Sequence, residues 1–188
     1  KRARSPPLPA GASAYDADGG VARFGVGAHT DSGYLSLLLQ DDVGGLQVQD
    51  AATGAWKDAP PLPGAFVLNT GEMLQLATNG FYLATPHRVV NSSTERARVS
   101  VPYFFNPSLR AEVAPMALPP ALEWRRERPA AVDVTDSHGA SGNRLIAQYG
   151  LNAFKSLVRS HPAVRERWHS DLELRSDGTV ARKGEIAP

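Results

Sequence analysis

The chain has 188 residues, 20 Lys and Arg against 19 Asp and Glu, a net charge of +1 and no cysteine. Such a length suits one domain that buries roughly 70% of its unfolded surface. The balanced charge gives no electrostatic case for nucleic acid, and the missing thiols exclude a disulfide framework and a zinc–thiolate site. No apolar run approaches the roughly 20 residues of a membrane helix, and the basic start, Lys1 to Arg4, lacks the apolar stretch of a signal peptide.

Residues 1–22 are rich in Pro, Gly and Ala and read as a loose lead-in. From 23 to 105, short alternating runs punctuated by turn residues predict strands of a β-sandwich or barrel. Arg23 to His29 is the first such run and Tyr34 to Leu39 the second. Gly44-Gly45 is most simply a hairpin turn. Trp56, Phe66, Val67, Leu68 and Phe81 are expected in the core. One helix is predicted over Glu72 to Thr78, with Asn69 as a cap, Glu72 three residues on and Gly80 as a stop.

Past Pro107 the character changes. Ala114 to Pro120 is Pro-rich, Glu123 to Arg128 is charged, and Val132 to Asn143 carries turn residues without a period. Leu145, Ile146, Tyr149, Phe154, Leu157 and Val158 fall at helical spacing, which predicts a helix over about 144–159 packed on the β-core. His161-Pro162 breaks it, Val164 to Trp168 can add a turn or two, and the end around Asp177-Gly178 reads as a tail or small hairpin. The division is therefore 1–22 lead-in, 23–110 β-core and 111–188 C-terminal extension.

The chemistry concentrates in His29-Thr30-Asp31, answered downstream by His87 and then by Arg98-Val99-Ser100. Residues i and i+2 of a strand share a face, so His29 and Asp31 can bite one metal while Thr30 packs away, with His87 arriving from another strand. Two imidazoles and a carboxylate with open positions are the ligand set of non-haem iron(II) oxygenases. Arg98 and Ser100 also share a face. A guanidinium fork matches a carboxylate bidentately, and a hydroxyl can add a donor, so the pair suits an organic acid that chelates the same metal. Gly25 and Gly27 have the parity of His29, and a glycine there marks either close approach of a ligand or another backbone, or a bulge or barrel corner. His138, His161 and His169 read as structural.

The wider text sharpens this. It runs Gly27-Ala-His-Thr-Asp-Ser-Gly-Tyr34, Val43-Gly-Gly-Leu-Gln-Val48, Pro61-Leu-Pro-Gly-Ala-Phe-Val-Leu-Asn-Thr-Gly-Glu-Met73, Thr85-Pro-His-Arg-Val-Val-Asn91 and Arg98-Val-Ser-Val-Pro-Tyr-Phe-Phe105. In this order the motifs closely resemble the iron(II)- and 2-oxoglutarate-dependent dioxygenases of the isopenicillin N synthase-like superfamily. The resemblance is dense from about residue 23 to 108 and thin beyond.

The resemblance implies a mainly β fold, a double-stranded β-helix or jelly roll, with helices supplied mainly by the C-terminal segment. It implies Fe(II) held by His29, Asp31 and His87, and 2-oxoglutarate whose distal carboxylate rests on Arg98 and Ser100. With O2, the keto acid would be split to CO2 and succinate while a small organic substrate is hydroxylated, desaturated or cyclised. By strand parity Phe104 continues the metal-facing side, as long as Pro102 brings no bulge, and can stack a substrate near Gly27, whereas Phe105 is expected in the core. Relatives commonly place an aromatic before the Pro-Pro step as a further co-substrate contact. Here Ala3-Arg4-Ser5 stands before Pro6-Pro7, so either the alignment slips at this start or co-substrate binding leans more heavily on Arg98.

Relatives also carry a helical region ahead of this point, which makes the chain look like the C-terminal catalytic half of a longer protein. A monomer in a reducing cytosol is expected, with no nucleic-acid or membrane partner. Two alternatives stay open: a non-catalytic or truncated jelly-roll module, and an iron oxidase that does not use 2-oxoglutarate.

Overall fold

A computed structural model of the chain describes residues 2–15, 23–90, 93–122, 144–175 and 179–185. The eight strands up to residue 105 are β1 (Ala3–Ser5), β2 (Val26–His29), β3 (Leu35–Gln40), β4 (Leu46–Gln49), β5 (Trp56–Asp58), β6 (Val67–Thr70), β7 (His87–Val89) and β8 (Arg98–Phe105). They form two antiparallel four-stranded sheets, a major one in the order β1-β8-β3-β6 and a minor one in the order β2-β7-β4-β5. From β2 onward, every connection except β4 to β5 changes sheet, which is the winding of a jelly roll. The mainly β reading of the sequence holds.

Several local expectations change. Residues 3–5 are not loose. They pair with Ser100, Val99 and Arg98 as the edge of the major sheet. Gly44-Gly45 is not a hairpin turn, because β3 and β4 belong to different sheets. Both glycines have positive φ, +78° and +85°, the left-handed conformation that glycine adopts at no steric cost, and they turn the corner between sheets. Pro102 makes no bulge: it pairs with Leu38 in a register that runs unbroken from Leu35↔Phe105 to Gln40↔Ser100. Strand β1 covers only Arg98 to Ser100, so among the described residues no strand pairs with that side of β8 at Pro102, where a proline is tolerated.

Helix α1 (Glu72–Ala77) lies close to its predicted span, but Asn69 does not cap it. Gly71 holds the N-cap, and the helix's first amides are satisfied by the chain around the H-x-D motif: Glu72 N donates to Asp31 O at 2.8 Å and Met73 N to Gly33 O at 2.9 Å. A β-carbon at position 71 would collide with the Gly33 and Asp31 carbonyls, so the close approach requires glycine. Asn79 at φ +50° and Gly80 at φ +81° close the other end.

The C-terminal extension adds α2 (Tyr149–Ser160), α3 (Pro162–Trp168) and a hairpin of β9 (Leu172–Leu174) and β10 (Val180–Arg182). Helix α2 starts later than the apolar spacing predicts, because Gln148 caps it by accepting from Leu151 N at 2.7 Å. Pro162 opens α3 at a position where its missing N–H costs nothing. Met73 of α1, Val113 and Tyr149 of α2 form a buried apolar cluster, with Tyr34, Leu76, Ala77 and Ala153 against it. Leu157 is exposed, whereas Asn152, Lys155 and Arg159 are buried members of α2. Phe66 and Leu68, expected in the core, are both 61% exposed. Glu123 to Arg128, Val132 to Asn143, His138 and Asp177-Gly178 lie outside the described residues. No helix among the described residues is long and apolar enough to cross a membrane.

Candidate metal centre and co-substrate pocket

The two sheets enclose an open cavity of about 260 Å³, small for a ligand pocket. The minor sheet contributes His29, Leu46, Val48, His87 and Val89, and the major sheet Ser36, Val67, Asn69, Arg98, Ser100, Pro102 and Phe104. His29 and His87 are direct cross-strand partners in β2 and β7, with rings 4.3 Å apart. Asp31 follows two residues after the end of β2, in the turn toward β3.

Three donor atoms converge here. His29 Nε2 lies 3.7 Å and His87 Nε2 3.8 Å from Asp31 Oδ1, and one donor atom from each residue lies within 4.8 Å of the other two. Two metal–ligand bonds of about 2 Å allow donors up to about 4 Å apart, so the two imidazole–carboxylate spans fit a single small cation.

The second atoms of each ligand are already committed. His29 Nδ1 faces Gly27 O at 2.8 Å and His87 Nδ1 faces Thr85 O at 3.0 Å. A carbonyl can only accept, so both rings are assigned the tautomer that carries the proton on Nδ1 and leaves Nε2 bare for a metal. Asn69 Nδ2 also lies 3.4 Å from His87 Nδ1, a longer contact between two donors in that tautomer. Asp31 Oδ2 accepts from Ser36 Oγ at 2.5 Å and from Asn69 Nδ2 at 3.0 Å, which turns Oδ1 toward the imidazoles. Burial, reinforced by the neighbouring His29, pushes the His87 pKa below its usual value. The ring is thereby kept neutral, the form that binds metal.

Gly27 is absent from the cavity lining. The register shifts between Val26 and His29, so parity counted back from His29 fails within two residues, and Val26 reaches the lining instead. Gly27 serves the site through its carbonyl.

Arg98 is 2% exposed. Its Nε donates to Gly44 O at 2.7 Å, Nη1 to Ser100 Oγ at 2.9 Å and Nη2 to Gln40 Oε1 at 2.9 Å. These use three of the five guanidinium N–H groups, leaving one on each terminal nitrogen for a ligand. Ser100 accepts from Arg98, so its own hydroxyl proton can be donated. Burial pushes the Arg98 pKa down while Asp41 raises it; a guanidinium stays charged regardless. Arg96, two residues earlier, is exposed and forms a fork with Asp42 at 2.9 and 2.6 Å.

Ser36, Asn69, Gln40 and Gly44 serve the site without being signalled as site residues by the sequence motifs. Ser36 carries a usable signal: it has the parity of Leu38 and Gln40 in a strand whose other members are leucines. Asn69 carries a misleading one, since its position also fits a helix cap. The two structural histidines within the described residues keep ordinary roles, His161 beside Ser160 Oγ at 2.8 Å and His169 edge-on to Phe154.

Comparison with known proteins agrees with this geometry. The family model of the 2OG-Fe(II) oxygenase superfamily matches residues 10–107. The chain is 40% identical over 144 residues to a 1-aminocyclopropane-1-carboxylate oxidase of Dictyostelium mucoroides, covering 76% of this chain and 37% of that protein. It is 44% identical over 126 residues to a 2-oxoglutarate-Fe(II) type oxidoreductase of Aspergillus fumigatus, covering 62% and 35%. It thus spans just over a third of these relatives. Among solved structures, the rice dioxygenase for auxin oxidation aligns with a TM-score of 0.51 at 31% identity over 79% of this chain and 44% of that one. A full-length Neurospora crassa protein in complex with alpha-KG and thymine aligns at 0.53 and 26% identity over 73% and 38%. A family model covering more than half of the chain, together with the convergent donors, places this protein in the 2OG-Fe(II) oxygenase superfamily.

Proposed function

We propose that the chain is the catalytic core of an Fe(II)- and 2-oxoglutarate-dependent dioxygenase that oxidises a small organic molecule, with residues 23–110 as the working unit and 111–188 as an extension. The observation that carries the reading is the convergence of three donor atoms whose second atoms are each held by a hydrogen-bond partner. His29 Nε2, His87 Nε2 and Asp31 Oδ1 would hold the iron. When bound, it supplies the means of using O2 to oxidise both the keto acid and the substrate. Ser36 and Asn69 fix the carboxylate so that only one oxygen faces the metal.

Arg98 and Ser100 take the distal carboxylate of 2-oxoglutarate. Their charge is buried, so the interaction is screened less by water than the exposed Arg96 pair. Leu46, Val48, Val67, Val89 and Phe104 line the cavity and help to keep water from the reacting groups. Phe104 offers the face against which an apolar substrate can lie. A net charge of +1 gives no electrostatic case for nucleic acid, and ferrous chemistry suits a reducing cytosol; the reading is of a small-molecule enzyme acting as a monomer.

The test is anaerobic titration with Fe(II) followed by 2-oxoglutarate, read as a visible charge-transfer band and by calorimetry. About one Fe(II) per chain and a band that requires both additions are expected. Iron binding without any response to 2-oxoglutarate would move the reading to an iron oxidase, and no iron binding would leave a binding module.

A further inference from the structure

The strongest unexplained feature is a line of buried polar side chains from helix α2 to the H-x-D turn. Glu72 is 2% exposed and Asn152 fully buried. Glu72 Oε1 accepts from Thr30 Oγ1 at 2.7 Å, and Oε2 accepts from Asn152 Nδ2 at 2.7 Å. Asn152 Oδ1 in turn accepts from Ile146 N at 3.1 Å and from Lys155 Nζ at 3.0 Å, and Lys155 Nζ also donates to Arg144 O at 2.9 Å. Every donor points to an acceptor, so the orientation of the Asn152 amide is determined.

Docking α2 on α1 does not require this. Met73, Val113 and Tyr149 already pack the two helices together, and replacing buried charged groups by apolar ones of like volume is often neutral or stabilising. What the network reaches is specific. Thr30 is the residue between His29 and Asp31, and Glu72 grips the turn twice, by its carboxylate at Thr30 and by its backbone amide at the Asp31 carbonyl. Fixing those two points limits how far the Asp31 side chain can swing relative to His29.

Resting on the metal reading above, we propose that Glu72 and Asn152 are positioning residues for the metal centre. They hold Thr30, and so set the His29–Asp31 bite, which makes the C-terminal helix part of the site. Partners one step removed from metal ligands typically change affinity by about 10–100-fold when lost.

Cobalt(II) is the probe, because its d–d absorption reports ligand geometry without turnover. Thr30→Val removes the hydroxyl at constant shape, and Asn152→Asp sets a carboxylate against Glu72. The pair Glu72→Gln/Asn152→Asp restores a donor facing an acceptor, with Lys155 and Ile146 still served. Leu151→Ala, on the exposed side of α2, is the control. Both single variants should weaken Co(II) about tenfold and alter the d–d bands below their melting temperatures. The double exchange should recover most of the affinity, and Leu151→Ala should match wild type. Wild-type affinity and spectrum in Thr30→Val and Asn152→Asp, with only melting temperatures changed, would overturn the proposal and leave the metal site standing. A wild-type protein that fails to bind Co(II), or an Asp31→Ala variant that binds it equally well, would overturn both.

Discussion

The two faces of the major sheet have their polarity inverted. Toward the cavity stand Ser36, Asn69, Arg98 and Ser100, with Leu38, Val67, Pro102 and Phe104. Away from it stand Leu37, Leu39, Leu68, Val101, Tyr103 and Phe105, all exposed by more than a third. Helix α2 shows the pattern in part, burying Asn152, Lys155 and Arg159 beside Tyr149 and Val158 while Leu151 and Leu157 face out. Hydrophobicity alone would assign the sheet back to front and would miss the polar half of the buried face of α2. The interior tolerates its polar groups because each has a partner: among the described residues no fully buried side-chain nitrogen or oxygen lacks one. The lesson is that alternation tells which residues share a face, and chemistry tells which face is inside.

The largest effects should come from the metal end of the inner face. Asp31→Ala deletes the anionic ligand and should abolish measurable Fe(II) binding in anaerobic calorimetry, and His87→Ala should come close to it. Circular dichroism should show both still folded, since the sheet's apolar contacts are untouched. Unchanged iron affinity in both would mean that the inner polar face serves something else.

Next comes the pair of arginines two residues apart. Arg98→Lys replaces a fork by a point charge and should weaken 2-oxoglutarate by about 1.5–3 kcal/mol, roughly ten- to a hundredfold, with iron binding spared. Arg96→Lys should change neither, because its pair with Asp42 is exposed and screened by water and lies outside the cavity. Equal behaviour of the two variants would erase the distinction between buried and exposed cation on which the co-substrate assignment stands.

Adjacent phenylalanines sharpen the comparison further. Phe104→Ala should raise the apparent substrate KM or uncouple keto-acid decarboxylation from product formation, with iron affinity intact. Phe105 is 56% exposed, so the cost of about 3–5 kcal/mol for truncating a buried aromatic does not apply, and Phe105→Ala should cost about 1 kcal/mol or less in denaturant melts. Loss of the fold in Phe105→Ala would show that the outer face is covered in solution.

Much of this arrangement is legible in the sequence. The period of two puts Arg98, Ser100 and Phe104 on one side of β8, and the structure keeps that register because Pro102 falls where β1 has already ended. The parity argument fails on β2, where a register shift before His29 takes Gly27 off the cavity wall. Local preference makes Gly44-Gly45 a turn, whereas sheet membership, a non-local property, makes it a corner whose carbonyl holds Arg98. Asn69 misleads for the same reason: local rules offer it a partner three residues away, and Asp31, 38 positions back in the chain, wins it. The polar part of the buried side of α2 stays hidden because lysine, asparagine and arginine are sorted outward by composition, whereas Asn152 points in to the Glu72 carboxylate and Lys155 to Asn152 and the Arg144 carbonyl.

The smallest effect tests that inward charge directly. Burial pushes the Lys155 ammonium down to about 8; the Glu72 carboxylate pulls it back up and Arg159 lowers it further. In the unfolded chain a lysine keeps its proton to about pH 10.4. Between about pH 8 and that value the unfolded state therefore binds more protons, and stability rises with pH across the window. Below about pH 8 both states are charged and the penalty is constant. One pH unit of differential titration is worth about 1.4 kcal/mol, so wild type should gain on the order of 1 kcal/mol relative to Lys155→Met by about pH 9, read from urea melts of both proteins. Subtracting the variant removes every other titrating group common to the two. A difference curve that is flat from about pH 7 to 10 would mean that water reaches Lys155, and that its place inside α2 carries no cost for a partner to offset.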